Sequence, residues 1–378
     1  MSAKYALKMK DGAARRGSFR TRSGIFETPT FMPVGTRASV KGVDVQRLAE
    51  CGASVMLVNT YHLWLRPGEQ RIKTLGGIHS FTGWSGPILS DSGGFQIFSL
   101  KGIRKITEEG VEFRSHLDGS KRFLSPEISI GVQQSLGVDI AMALDECPAS
   151  TLDKGALDKS LDMTLRWAKR SLDARTDESM CLFGITQGGC HRELRTKSAE
   201  AISQIPFDGY AVGGLSVGEP KESMYAVLEY HVDQLPDDQI RYLMGVGTPE
   251  DIIEGVSRGI DIFDCVMPTR SGRFGRIFVN DTPPFYNIKN SQYCEDLKPL
   301  DPTCECFACR TYSRAYVHHL FKVGEMLGPQ LASIHNLTHY LTLMREIRGA
   351  IERGVFNDLY RTVKARWQRH DFHSQKTS

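Results

Sequence analysis

Eight short apolar runs, each closed by glycine or polar residues and most followed by a helical pattern, predict an α/β fold for this chain, a (β/α)8 TIM barrel. Two observations carry the expectation. The runs are continuous rather than alternating, as in parallel strands buried on both faces. They also alternate with amphipathic segments eight times over, which suits a closed barrel better than an open doubly wound sheet. The runs are TFMPVG (30–35), SVMLVNT (54–60), PILSDSGG (87–94), DIAMALDEC (139–147), CLFGITQGG (181–189), GYAVGGLSVG (209–218), IRYLMGVG (240–247) and IDIFDCV (260–266).

Residues 4–29 precede the barrel and read as a hairpin, with Asp11-Gly12 as the turn. Helices are predicted over 44–51, 125–136 (opened by Ser-Pro-Glu), 152–175, 191–204, 219–233 and 249–258, the last capped by Thr248. Two stretches break the repeat. Residues 103–123, with turns at Glu109-Gly110 and Asp118-Gly119, read as antiparallel strands inserted after the third barrel strand. Residues 270–312 are a long insertion after the eighth, followed by a predicted helix over 330–348. This gives a barrel at 1–269, an insertion with a metal-binding helical subdomain at 270–350, and a C-terminal helix and tail at 351–378 whose last residues, from Phe372, are expected to fray.

With 40% hydrophobic and 24% charged residues the chain is long enough for a large buried core, and its net charge of +3 is too small to mark a nucleic-acid partner by itself. Any basic footprint must therefore be local. The N-terminal residues lack an apolar leader core and nowhere do about 18 apolar residues run together, so the expectation is a cytoplasmic protein with no membrane association. In that compartment the nine cysteines are not a disulfide framework.

Three of those cysteines, Cys304, Cys306 and Cys309, form C-x-C-x2-C, close enough to wrap three thiolates around one ion. A fourth ligand would complete a closed structural zinc site. Spacing leaves His318, His319, His335, His339 and Cys294 as candidates.

Strand ends of a barrel gather on one face, which here collects Asp91-Ser92, Asp145, Gln187, Gly213-Gly214, Met244 and Asp264. Carboxylates, an amide and glycine-exposed backbone suit a planar heterocycle with several donors, such as a purine, which Phe95 and Met244 could sandwich. Asp264 and Asp91 could form the acid pair of a retaining glycosyl transfer, one attacking the anomeric carbon and the other handling the leaving group's proton. After Asp264 comes Pro-Thr-Arg-Ser-Gly-Arg. Pro268 and Gly272 predict a loop there, and Arg270, Arg273 and Arg276 suit phosphates.

SDSGGFQ (90–96), LDEC (144–147), AVGGLSVGE (211–219), YLMGVG (242–247), FDCVMPTRSGR (263–273) and C-x-C-x2-C with His335-Asn336 together carry a resemblance over nearly the whole chain. The chain resembles the bacterial tRNA-guanine transglycosylases, or queuine tRNA-ribosyltransferases. The resemblance implies exchange of the wobble guanine in tRNAs with GUN anticodons (Asp, Asn, His, Tyr) for preQ1, 7-aminomethyl-7-deazaguanine, a step towards queuosine. It implies Asp264 as nucleophile of a covalent ribosyl-enzyme and Asp91 as general acid, then base. Ser92, Asp145, Gln187 and Gly214 would read the base, with Phe95 and Met244 stacking on it. Arg270, Ser271, Gly272 and Arg273 would contact tRNA. A structural Zn2+ would sit on Cys304, Cys306, Cys309 and His335, and the family is homodimeric. Cys147 and Val217 are the bacterial-type choices, favouring preQ1 over queuine. The chain departs from some relatives at Thr186, where they carry glutamine, and at Phe95, where they carry tyrosine. The alternative readings are an inactive or RNA-binding partner subunit of the same family, which would lack Asp264 or Asp91, and a carbohydrate glycosidase, which would leave the arginines idle.

Overall fold

The computed structural model describes residues 4–98, 104–148 and 152–368. The predicted tail from Phe372, and Ile103 at the start of the predicted insertion, lie outside the described residues.

All eight predicted barrel strands form. In chain order the strands are β1 (Tyr5–Asp11), β2 (Ala14–Thr21), β3 (Gly24–Thr28), β4 (Thr30–Pro33), β5 (Met56–Asn59), β6 (Ile88–Asp91), β7 (Arg104–Ile106), β8 (Val111–Arg114), β9 (Lys121–Leu124), β10 (Ile140–Met142), β11 (Cys181–Thr186), β12 (Gly209–Val212), β13 (Ile240–Leu243), β14 (Ile262–Cys265), β15 (Arg276–Phe278) and β16 (Phe285–Asn287). Parallel pairing runs β4-β14-β13-β12-β11-β10-β6-β5. A parallel bridge between Val34 and Leu57 brings the two ends of that order together. The apolar runs are continuous because every strand has barrel interior on one face and helices on the other.

The N-terminal segment corrects the hairpin expectation. It is a three-stranded antiparallel sheet, β1-β2-β3, because the return strand turns again at Arg22-Ser23. The Ser23-Gly24 pair marks a turn there, but it is weaker than Asp11-Gly12 because Gly24 is already the first residue of β3. The sheet plugs the bottom of the barrel. Phe19 meets Phe183 of β11 edge-on, with ring centroids 5.5 Å apart, and Tyr5 donates to buried Asp261 at 2.9 Å.

The insertion after β6 forms the antiparallel sheet β7-β8-β9. It packs on the side of the strands' C-terminal ends, where Phe113 meets Tyr61 and Trp64. Thr248 caps its helix as expected, with Asp251 completing a capping box.

A second correction falls on Pro268 and Gly272. The Pro-Thr-Arg-Ser-Gly-Arg stretch is a short helix, Met267–Arg273, rather than a loop. Pro268 sits in its first turn, where no helical N–H is lost. Gly272 is buried against the long helix Leu327–Glu352, and a Cβ there would come within 3.0 Å of Ala332 and Ser333 backbone atoms. Among the described residues no helix is long and apolar enough to cross a membrane.

Candidate active site and metal centre

The open end of the barrel holds two carboxyl groups in different surroundings. Asp91, the last residue of β6, is gripped by four donors: Thr60 N at 3.0 Å, Gly93 N at 3.2 Å, Gln96 Nε2 at 3.1 Å and the Asn59 amide. Asn59 faces Asp91 across the β5–β6 pair and also caps the helix Thr60–Leu65 by accepting from His62 N. Burial nevertheless outweighs these donors, with the Asp264 charge adding to it, and pushes the Asp91 carboxyl up to about 7.

Asp264, in β14, accepts from the Tyr242 hydroxyl at 2.6 Å and from Gly245 N at 2.7 Å. Both end on Oδ1, which leaves Oδ2 as the oxygen free to attack an electrophile. Burial raises the Asp264 pKa, and the two hydrogen bonds hold it down. Asp264 makes no ion pair with Arg270 among the described residues.

Asp145, just past β10, is buried and receives Gln187 Nε2 at 2.6 Å. Burial pushes its carboxyl up to about 6. Gln187 is oriented from behind by Ser198, whose hydroxyl accepts the Gln187 N–H at 2.9 Å. Gly214 holds a left-handed φ of 64°, and a Cβ there would lie 2.1 Å from Gln187 Oε1. Buried Ser92 accepts from Gly94 N through its hydroxyl at 3.3 Å and from Ser129 through its carbonyl at 2.8 Å. Phe95 is 56% exposed and Met244 half-buried, so both have faces to offer a ligand. The expected site residues from β6, β10, β11, β12, β13 and β14 thus share one mouth.

Beside it, the helix Met267–Arg273 carries exposed Arg270 and half-buried Arg273. Arg273 Nη1 is buried without a hydrogen-bond partner. Its guanidinium is depressed by burial and by the neighbouring Arg270, a pair of cations poised for an anion.

Residue-by-residue reading missed Asn59, Gln96 and Tyr242, although Asn59 and Tyr242 lie in strand-end runs and Gln96 in the short helix Gly94–Phe98 just after one. It also missed Arg195, a fully buried guanidinium that holds Gly189 O at 2.7 Å and approaches Gly214 O at 3.4 Å behind the Gln187 pocket.

Cys304, Cys306, Cys309 and His335 bring their ligand atoms within 4.8 Å of one another. His335 Nδ1 lies 3.2 Å from Cys309 Sγ, and its Nε2 meets the Phe278 carbonyl at 2.7 Å. That second contact fixes the ring so that Nδ1 faces the sulfurs. Three thiols and an imidazole at this spacing fit a tetrahedral metal ion. His318 Nδ1 instead meets Ile288 O at 2.8 Å, and His339 stacks on Phe278.

The family model described as Queuine tRNA-ribosyltransferase matches residues 10–369. A queuine tRNA-ribosyltransferase of Francisella tularensis subsp. novicida is 50% identical over 365 residues, covering 97% of this chain and 99% of that protein. One from Saccharophagus degradans is 52% identical over 351 residues, covering 93% of both.

Proposed function

The chain belongs to the queuine tRNA-ribosyltransferase family, and from that premise we propose that it is a tRNA-guanine transglycosylase, a pentosyltransferase that exchanges the wobble guanine of GUN-anticodon tRNAs for preQ1. The observation that carries the reading is the pair of carboxyl groups: Asp264 with one oxygen held and one free, beside Asp91, kept protonated up to near neutrality. Asp264 Oδ2 attacks C1′ of the target ribose while the C1′–N bond breaks, and Asp91 gives its proton to the departing guanine. The incoming base then attacks C1′, Asp91 takes up that base's proton, and the C1′–O bond to Asp264 breaks. Atoms balance with no further reagent.

Asp145, Gln187, Gly214 and Ser92 read the base. Their convergence on one pocket supports this, as does the Gln187–Asp145 bond, which fixes the amide orientation. Phe95 and Met244 stack on the ring. Half-buried Cys147, whose thiol burial pushes up to about 12, stays neutral beside Asp145; with Val217 it favours preQ1. Arg270, Ser271, Gly272 and Arg273 contact tRNA, and the unpartnered Arg273 Nη1 supports them as phosphate ligands. The target nucleotide must leave the anticodon stack to reach the pocket.

The metal is read as structural zinc, with all four protein ligands closing its sphere. We further propose a homodimer, and a division of the chain into barrel (1–269), metal-binding insertion (270–350) and C-terminal helix with tail (351–378).

The test is incorporation of labelled guanine into unmodified tyrosine tRNA, against a transcript whose wobble guanine is replaced, followed by competition with unlabelled preQ1. Label in the intact tRNA alone, suppressed by preQ1, is the expected result. No incorporation by folded, metal-loaded protein would overturn the proposal.

A further inference from the structure

Three contacts hold the segment that follows the Asp264 strand, from the helix Met267–Arg273 to Phe278, and all three come from one stretch, residues 332–336, of the long helix Leu327–Glu352. Gly272 lies flat against the Ala332–Ser333 backbone, with no room for a Cβ. His335 reaches the carbonyl of Phe278, just beyond the arginines, at 2.7 Å. Asn336, wholly buried, spans the segment: Nδ2 donates to Pro268 O at 3.0 Å and to Arg276 O at 2.9 Å, while Oδ1 accepts from Phe278 N at 3.0 Å.

These bonds use both amide hydrogens and the amide oxygen of Asn336, so its orientation is fixed without ambiguity between oxygen and nitrogen. They close a loop of backbone between Pro268 and Arg276 with Arg270 and Arg273 inside it. Neither arginine is held in place by a described ion pair of its own. Their direction is therefore set by the helix that carries them, and that helix is set from outside the barrel.

We propose that Asn336 is a positioning residue for RNA: together with Gly272 it fixes the pitch of Met267–Arg273, so that Arg270 and Arg273 meet the phosphates of the substrate strand while Asp264 faces its ribose. The metal centre joins the arrangement through His335, the adjacent residue, but Asn336 acts on the arginine helix directly. The inference rests on the reading of Arg270 and Arg273 as RNA contacts.

The test is equilibrium binding of unmodified tyrosine tRNA across a salt series, which is read whether or not base exchange occurs, with metal content and melting measured alongside. Each phosphate contact contributes about one unit to the slope of log affinity against log salt. N336A is expected to retain its metal, weaken tRNA binding about tenfold and lower that slope by about two units, as losing both arginines would. In turnover, KM for tRNA should rise about tenfold with kcat changed far less, the signature of lost binding common to ground and transition states.

Should N336A not fold, N336D keeps the acceptor for Phe278 N while losing both donors, and G272A displaces the same helix through its separate contact with Ala332 and Ser333. Both should give the same fall in slope. An unchanged slope in any folded, metal-loaded variant would overturn the proposal, as would metal loss accompanying the weakened binding. Absence of base exchange by the wild type, with the salt series behaving as stated, would count against the proposed reaction and leave the positioning role standing.

Discussion

Tyr242 of β13 donates its phenolic hydrogen to Oδ1 of Asp264 on the neighbouring strand β14, at 2.6 Å. The bond favours the carboxylate over the acid, against the burial that raises the Asp264 pKa. Tyr242→Phe removes it. A hydrogen bond to a charged group is worth about 1.5–3 kcal/mol, and 1.36 kcal/mol corresponds to one pH unit, so the Asp264 pKa should rise by about one unit or more. Attack needs the ionised form. The acidic limb of kcat/KM against pH should therefore move to higher pH, and a limb that stays in place would contradict this account of Asp264.

Asp91 supplies the opposite limb. Its carboxyl is raised to about 7, so the proton for the leaving base is present below that pH and lost above it. The rate of covalent ribosyl-enzyme formation should fall as pH rises through about 7. Asp91→Asn should abolish that limb and slow the step by about 10²- to 10⁴-fold. Single-turnover trapping on a denaturing gel measures both, with Asp264→Asn as the variant that forms no adduct.

Gly214→Ala tests the base pocket. The added carbon would sit 2.1 Å from Gln187 Oε1 at a φ of 64°, so Gln187 must leave its bond to Asp145. The left-handed backbone alone costs about 1–2 kcal/mol for a residue with a Cβ. KM for the incoming base should rise by tenfold or more while tRNA affinity at high salt stays close to wild type. Equal losses for base and tRNA would argue against a pocket confined to these residues.

Removing the metal should act on the fold before the chemistry. Cys306 is buried, with its sulfur 3.7 Å from His335 Nδ1. If the proposed structural zinc and homodimer hold, Cys306→Ala should lose the ion, lower the melting temperature and disturb dimerisation rather than the carboxylates at the barrel mouth. Normal zinc content and melting in this variant would sink the structural assignment.

The barrel was legible because its signal is local. The eight apolar runs appear at the predicted places, since a strand buried on both faces must be apolar throughout. The cysteine trio was legible for the same reason, three thiols within six residues. Among the catalytic-face groups, Asp91, Asp145, Gln187 and Asp264 could be collected by reading strand ends, and the structure places them at one mouth.

Other features were hidden because they depend on partners distant in sequence. Proline and glycine in Pro-Thr-Arg-Ser-Gly-Arg argue locally for a loop, yet Gly272 is there because another helix 60 residues away needs its missing Cβ. By spacing alone His318, His319, His335, His339 and Cys294 stood level as fourth ligand; the family resemblance pointed to His335, and the folded chain brings its Nδ1 to the sulfurs while Phe278 takes its other nitrogen. The second strand turn of the N-terminal sheet had only Ser23-Gly24 to announce it, with Gly24 already in β3.

What the amino-acid sequence determined by itself was therefore the set of elements and the chemical groups available, since periodicity and close spacing are properties of neighbours along the chain. What only the tertiary structure decided was which groups hold which. Asn59 steadies Asp91 from 32 residues away, Tyr242 steadies Asp264 from 22, and Asn336 spans the arginine helix from 68. Such bonds join strand ends and helices that lie far apart in sequence, so their geometry belongs to the packing of elements and not to any one of them.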